Sequence, residues 1–382
     1  MDIALTEEEQ RLVETARAFA ADVVAPRAAD WERDRVMPRE AIRAAVEAGL
    51  GSLLVPKEHG GQGASRTTLA RVAEELSAVD MAFAFSLVVH NNHLNSIANA
   101  GNPEHIERYL PRMLTGEVIG SFLLTEPQGG SDAAAITTSA TRDGDGWRLN
   151  GRKAWVTNAA EADLLSVYAQ TDPDKGWRGI ATFQVEAERD GVVREAPYST
   201  LGAHAMGTGG FRFEDCRVED RAMLLPPGDG FKFAMSGIDL ARACVAAMCC
   251  GILRTSLDVA LGYAAGRRAF GQRIADFQGL QWQLADVATD LHAARLMAYE
   301  AMRLIDAGQA AAIEAAHAKK FATRVALTGV AECMQAMGAD GYKHDFPLAR
   351  HLACAKMGQY IDGTTEIQNV VIGRALLKPY ID

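Results

Sequence analysis

The sequence predicts an α+β chain whose helices and strands are segregated rather than alternating. It divides into an N-terminal α-helical domain over 1–120, a middle β-barrel or sandwich domain over 121–230 and a C-terminal four-helix bundle over 231–382. Three observations carry this reading. Apolar residues recur at helical spacing through the first third. Short β-like runs punctuated by Gly and Asp follow. Long Ala- and Leu-rich segments with short connections close the chain, as antiparallel helices of a bundle do. No Gly-x-Gly-x-x-Gly and no Walker-type loop is present, so a nucleotide cofactor held in the Rossmann manner is not expected.

The elements read in order as follows. Thr6-Glu-Glu-Glu9 is a capping box, with Thr6 as N-cap and Glu9 three residues on. Leu12, Val13, Ala16, Phe19, Ala20, Val23 and Val24 then keep helical spacing until Pro26. Pro38 is placed as a first helical residue and Gly49 as the cap past that helix. Leu69, Val72, Ala73, Leu76 and Val79 mark an amphipathic helix, and residues 81–98 read as a buried one. Near residue 120 the texture changes. Trp147-Arg-Leu149 leads into Asn150-Gly151, which predicts a two-residue hairpin turn before Arg152–Thr157. Further strands are expected at 164–169, 179–185 and 210–213, and helices at 232–264, 276–306, 309–337 and 367–377.

Composition bounds the function. The chain has 382 residues, 48% hydrophobic and 23% charged, which is ordinary for a soluble globular protein. A net charge of −10 argues against nucleic acid or an anionic membrane as the main partner. The longest apolar run, Ala243–Leu253, is too short to span a bilayer. The opening residues show neither a secretory signal nor a transit peptide, and the six cysteines form no Cys-x-x-Cys pair; a cytoplasmic protein with reduced thiols is expected. His90 and His93 have no third ligand nearby, so no metal is expected.

The segment Gln359-Tyr-Ile-Asp-Gly-Thr-Thr-Glu-Ile-Gln368 is the most informative stretch. Read alone, Asp362-Gly363 is a turn. Other segments stand in a definite order before it: Leu124-Thr-Glu-Pro-Gln-Gly-Gly-Ser-Asp132, Asn150-Gly-Arg-Lys-Ala-Trp-Val-Thr-Asn158, Arg267-Arg-Ala-Phe-Gly-Gln-Arg-Ile274 with Phe277-Gln278 and Leu284-Ala-Asp286, and Gln335-Ala-Met-Gly-Ala-Asp-Gly341. Together they resemble the acyl-CoA dehydrogenases, flavoenzymes that desaturate acyl-CoA thioesters between Cα and Cβ. The resemblance covers nearly the whole chain and implies non-covalently bound FAD.

It also implies roles. Thr125 and Ser131 would line the flavin and its linker, Trp155 would flank the isoalloxazine, and Thr157 would lie near N5. Two residues two apart on a strand share a face, as joint contact with one ring requires. Arg267 would reach the FAD pyrophosphate, commonly of a neighbouring subunit, with Phe270, Gln278, Gln335 and Gly338 beside it. Thr364 and Glu366 would belong to the terminal FAD-contacting segment. Asp239 and Arg242 share a helix face and would contact CoA, or pair with each other. A homotetramer and an electron-transfer flavoprotein as electron acceptor are implied as well.

The departures narrow the expectation. Where many members carry a Glu before Gly-Thr as the α-proton base, this chain has Asp362. Asp is one methylene shorter, a difference of ~1.5 Å. Ala241 stands where some members carry the base instead, and Phe85 where diacid-specific members carry an Arg. Gly202-Ala-His-Ala-Met206, Gly338-Ala339 and Ala353-Cys354 also depart from the family pattern. His90, Asn91 and His93 fall where the acyl pocket is expected to begin, and Gly363 beside the base; a solvated helix face is the plain alternative for the first three. Three functions compete: dehydrogenation of an unusual, cyclic or polar, acyl-CoA; an oxidase or oxygenase of the same fold acting on an acyl-CoA or carrier-bound acyl group; and a non-catalytic acyl-CoA-binding relative.

Overall fold

The computed structural model describes residues 5–100 and 103–381. The reading of residues 1–4 at the N-terminus lies outside the described residues. Helices α1 (Glu7–Phe19), α2 (Ala28–Asp34), α3 (Arg39–Glu47), α4 (Arg66–Ser77), α5 (Met81–Asn99) and α6 (Pro103–Leu114) come first. The predicted capping box is formed: Glu9 N donates to Thr6 Oγ1 at 3.2 Å and Thr6 N to the Glu9 carboxylate at 3.0 Å. Beyond Phe19 the helix widens into a π-helical turn over Ala20–Val24, just ahead of Pro26. Pro38 is the N-cap of α3 rather than its first residue, and Gly49 closes the helix end with φ of 82°.

Eight strands follow: β1 (Gly120–Leu123), β2 (Ser139–Asp143), β3 (Gly146–Val156), β4 (Leu164–Gln170), β5 (Ile180–Glu186), β6 (Val192–Arg194), β7 (Gly209–Glu219) and β8 (Met223–Leu225). They form one sheet in the order β6-β7-β3-β2-β4-β5-β8, with β1 paired parallel to β4. β2 meets β4 only at Ser139–Gln170, so the sheet turns a corner there, and β4 is buried along its whole length. Leu149, Val167, Phe183, Phe211 and Val218 fill the core it encloses.

The hairpin expected at Asn150-Gly151 lies elsewhere. β2 and β3 turn at Gly144-Asp145, with Asp143 opposite Gly146, and β3 runs straight through Asn150-Gly151. There it is bulged against β7. Gly151 has φ of 147°, and a Cβ on it would lie 2.6 Å from Thr138 Cα, so the glycine permits close approach of β2 instead of a reversal.

The remainder is α7 (Asp229–Gly266), a short hairpin of β9 (Arg268–Ala269) and β10 (Gln272–Arg273), then α8 (Gln278–Asp306), α9 (Ala312–Met337), α10 (Leu348–Gly358) and α11 (Thr365–Ile381). α10 was not anticipated. By length and hydropathy α7 could cross a membrane, but 72% of its apolar window is buried inside the protein. It is the core helix of the bundle: Val245, Met248, Ile252 and Leu253 share one apolar cluster with Leu69, Leu76 and Phe83 of the N-terminal helices. Buried Glu74 and Glu75 of α4 tie that junction, Glu74 to Arg295 at 2.6 Å and Glu75 to Arg254 at 2.8 Å.

Candidate active site

Asp362 occupies the corner between α10 and α11. Its φ of 51° is left-handed, and Gly363 follows with φ of 90°. A non-glycine residue in that region costs about 1–2 kcal/mol, so the surrounding structure must impose it. The hydrogen bonds on Gly363 do so. Its carbonyl accepts from Lys319 Nζ of α9 at 2.7 Å and from Gln368 Nε2 of α11 at 2.9 Å. Arg242, itself buried, approaches from α7 and is paired to Asp239 at 3.1 Å, the alternative left open for those two residues. Its Nε has no hydrogen-bond partner among the described residues.

Electrostatics make Asp362 unusual. The residue is half-buried by surface, yet its carboxyl is crowded. Burial pushes it up to about 6, although Lys319 and then Arg242 pull the other way. Lys319 is pushed down to about 8 by its own burial, with Asp362 opposing. A carboxylate lifted this far is a better base than a free Asp and still ionises near neutrality.

The same shift has a stability consequence. With the folded value near 6 and the unfolded value at 3.8, the protonated side chain favours folding at low pH. That contribution fades as pH rises through 6. Asp362→Asn is therefore expected to melt above the wild type at pH 8, with the gap closing towards pH 4; melting curves across that range check it.

A second group of residues lies on the flank of the β domain. Lys153 of β3 is fully buried and reaches back to Glu126 at 2.7 Å and to the Leu124 carbonyl at 3.1 Å. Glu126 in turn accepts from Thr137 N and Thr138 N. This clamp holds the 124–132 loop, and Thr125 with it, on β3: Ala154 N donates to the Thr125 carbonyl at 3.0 Å. Trp155 is 62% exposed, its ring edge-on to Tyr198 at 4.9 Å. Thr157 is buried beyond the strand end and Ser131 is exposed. The shared face expected for Trp155 and Thr157 is not made by strand alternation. Trp155 has φ of 56° and a bulge spans Lys153–Val156, so the regular two-residue period is broken there.

The third group sits at one end of the bundle. Tyr263, near the end of α7, donates to Asp340 at 2.7 Å, which brings Arg267 beside the Gly338–Tyr342 turn. Arg267, Gln278, Gln335 and Gly338 are exposed, and Phe270 is 95% exposed on a left-handed backbone with φ of 51°. Among the described residues no hydrogen bond or ion pair engages the Arg267 guanidinium. An unengaged guanidinium beside an open aromatic ring suits a phosphate-linked aromatic group. Together with the open indole of Trp155, these residues fit a flavin dinucleotide. Thr364 is half-buried and Glu366 exposed at the start of α11.

His90, Asn91 and His93 are not a solvated helix face: each hydrogen-bonds inside the protein, while Asn91 Nδ2 and His93 Nδ1 have no partner among the described residues. His90 Nε2 contacts the Met113 carbonyl at 3.2 Å and its Nδ1 accepts from Gly120 N at 3.1 Å. His93 meets Gln184 of β5 at 2.7 Å, and Asn91 Oδ1 accepts from Leu54 N. All three are buried, and burial lowers His90 to about 3 and His93 to about 4, keeping both neutral. The two histidines join α5 to the β domain, and Asn91 ties α5 to the loop after α3. Lys319, Gln368, Lys153 and Glu126 were missed as site residues. The last three stand inside the recognised motifs, while nothing local distinguishes Lys319 from Lys320.

Comparison with known proteins decides the family. The acyl-CoA dehydrogenase N-terminal, middle and C-terminal domain models match residues 6–117, 121–216 and 228–377. The chain belongs to the acyl-CoA dehydrogenase family. It is 36% identical to the human mitochondrial short-chain specific acyl-CoA dehydrogenase over 379 residues, 99% of this chain and 92% of that protein. Butyryl-CoA dehydrogenase from Megasphaera elsdenii superposes with a TM-score of 0.94 at 33% identity, covering 99% of this chain and all of that one. The prolyl acyl carrier protein oxidase AnaB superposes with a TM-score of 0.90 at 28% identity, covering 98% and 100%. As an acyl-CoA dehydrogenase family member the chain is an oxidoreductase, and the family is FAD-dependent. The Asp in place of Glu is thus one of several departures within the family frame.

Proposed function

We propose that this protein is an FAD-dependent α,β-dehydrogenase of an acyl-CoA with a bulky, cyclic acyl group, and that Asp362 is its base. The observation that carries the proposal is the buried, raised carboxyl of Asp362 in its left-handed corner beside Arg242. Asp362 takes the α-proton of the thioester. FAD, when bound, accepts the β-hydrogen as hydride, leaving the enoyl thioester. Thr125, Ser131, Trp155, Thr157, Thr364 and Glu366 would hold the flavin. Arg267, Phe270, Gln278, Gln335 and Gly338 would hold the dinucleotide half of a neighbouring subunit, in a homotetramer. Asp239, Arg242 and Gly363 would flank the thioester, with an electron-transfer flavoprotein as acceptor and the cytoplasm as compartment.

The short base supports the cyclic reading. A carboxylate drawn back by ~1.5 Å leaves room for substitution next to Cα. The test is an anaerobic titration with butyryl-CoA, isobutyryl-CoA, cyclohexanecarbonyl-CoA and 3-phenylpropionyl-CoA, following bleaching of the flavin. Faster bleaching by the linear than by the cyclic thioester would defeat the substrate proposal.

The likeness to a carrier-protein oxidase at 28% identity favours one second reading, in which the reduced flavin reacts with oxygen. Comparing reoxidation by air with reoxidation by an artificial acceptor separates the two. A further prediction concerns assembly. Arg267→Ala is expected to keep the fold, since that side chain is exposed, and to lose most of its FAD. Sedimentation with detection at the flavin absorbance checks both; an FAD-replete monomer would contradict the shared site.

A further inference from the structure

We propose that Lys319 is a positioning residue: its ammonium holds the Asp362–Gly363 corner in the left-handed form, and its charge favours the ionised carboxylate. The inference deepens the reading of Asp362 as base and rests on it. Four observations lead there. Lys319 is buried in the first half of α9, where a lysine is costly without a task. Its Nζ donates to the carbonyl of Gly363, the residue next to the base, at 2.7 Å. Asp362 and Gly363 are consecutive left-handed residues, a geometry that needs an external hold. Lys319 also feels the Asp362 charge directly.

The other charged and titratable groups around the pair are few. Arg242 and Cys249 of α7 and Glu366 of α11 face Lys319; Arg242 of α7 faces Asp362, as does the thiol of Cys244. Arg242 already has Asp239 as partner at 3.1 Å, whereas Asp362 is the strongest charge Lys319 meets. Gln368 Nε2 shares the Gly363 carbonyl at 2.9 Å but brings no charge. Lys319 thus combines a tether and a charge, and Gln368 is a tether alone. That difference makes the two roles separable.

The experiment has two arms. In the first, melting temperatures are measured from pH 4 to 9 for the wild type, Asp362→Asn, Lys319→Met and the double variant. With Lys319 present, the gap between the Asp362 and Asn proteins grows from about the ordinary Asp value of 3.8 and levels off near pH 6. Without it, the levelling-off is expected to move up by about one pH unit and the final gap to widen, since a neighbouring opposite charge shifts a carboxylate by about 1–3 units. An unmoved plateau overturns the inference, and no substrate is needed to see it.

In the second arm, anaerobic flavin reduction is followed against pH, with butyryl-CoA or cyclohexanecarbonyl-CoA, whichever is faster. Lys319→Met should slow reduction and move its acid limb up in parallel. Gln368→Met should slow it with the limb in place. Lys319→Arg keeps the charge, but its planar fork cannot occupy the ammonium position. It should therefore also slow reduction with the limb unmoved, and it carries the test if Lys319→Met does not fold. A wild-type rate in Lys319→Arg would overturn the tether. Wild-type reduction in Asp362→Asn would defeat the base assignment instead, while the melting arm still judges Lys319.

Discussion

Asp362→Asn is expected to keep the fold and the FAD and to lose flavin reduction by about 10²–10⁴-fold, the range typical of removing a general base. The amide is nearly isosteric with the protonated carboxyl, so the hydrogen bonds of Lys319 and Gln368 to Gly363 are undisturbed. Stopped-flow measurement of flavin bleaching under anaerobic conditions reads the loss. A near-normal rate would remove Asp362 from the chemistry. The opposite change sharpens the point. Asp362→Glu moves the carboxylate forward by ~1.5 Å. With a linear acyl chain in the usual family pose the rate should hold or rise. With a pocket built around a bulkier acyl group it should fall, because a misplacement of roughly 1 Å costs about a hundredfold.

The other large effect is on stability. Lys153→Met is expected to destabilise the protein by about 3–5 kcal/mol, because it leaves Glu126 charged and unpaired in the interior. Both side chains of the pair are fully enclosed. Burial alone would raise Glu126, but the Lys153 charge and the hydrogen bonds from Thr137 and Thr138 hold it at about 2. Its contribution is therefore present above its ordinary value of 4.5 and lost as pH falls through 2. Denaturant unfolding at pH 7 measures the loss. Adding Glu126→Gln to Lys153→Met should recover part of it. Flavin affinity should stay low in both, because the clamp also fixes the loop that carries Thr125 and Ser131. Full FAD occupancy in Lys153→Met would show that the loop holds without the clamp.

Much of the fold was legible because its signals are local. The capping box at Thr6 and the end of α3 at Gly49 depend on neighbours only a few residues away, and both are formed. The long helices of the bundle announced themselves by composition. The hairpin was misplaced for the complementary reason. Asp143-Gly-Asp-Gly146 and Asn150-Gly151 are both turn signals, and the choice between them is made by distant partners: β7 pairs with β3 on both sides of Asn150. The burial of the His90–His93 run was hidden likewise. A polar stretch on a helix reads as a wet face, whereas here Gln184 and Gly120, far along the chain, supply its partners. Asp362 as candidate base and the candidate flavin residues came from motifs, and Asp362 lies at the corner between α10 and α11. Its environment was not visible, because Lys319 lies 43 positions before it and a single lysine in an Ala-rich helix carries no mark.

The seam between α5 and the β domain bears on how this protein can be taken apart. Asn158, left-handed at φ of 67°, donates one amide hydrogen to the Ser86 carbonyl of α5 and another to the Gly120 carbonyl of β1, both at 3.1 Å. With His90 accepting from Gly120 N and His93 meeting Gln184, it forms a belt of enclosed polar groups spanning the boundary near residue 120. A chimera cut there would strand each of those groups without water, at about 1–3 kcal/mol apiece. The first two structural domains are modules to the eye but one part to recombination, and buried Glu74 and Glu75 bind that part to the bundle as well, so shuffled relatives should survive only when both seams travel intact. The amides along that belt should exchange with deuterium only when the whole molecule opens.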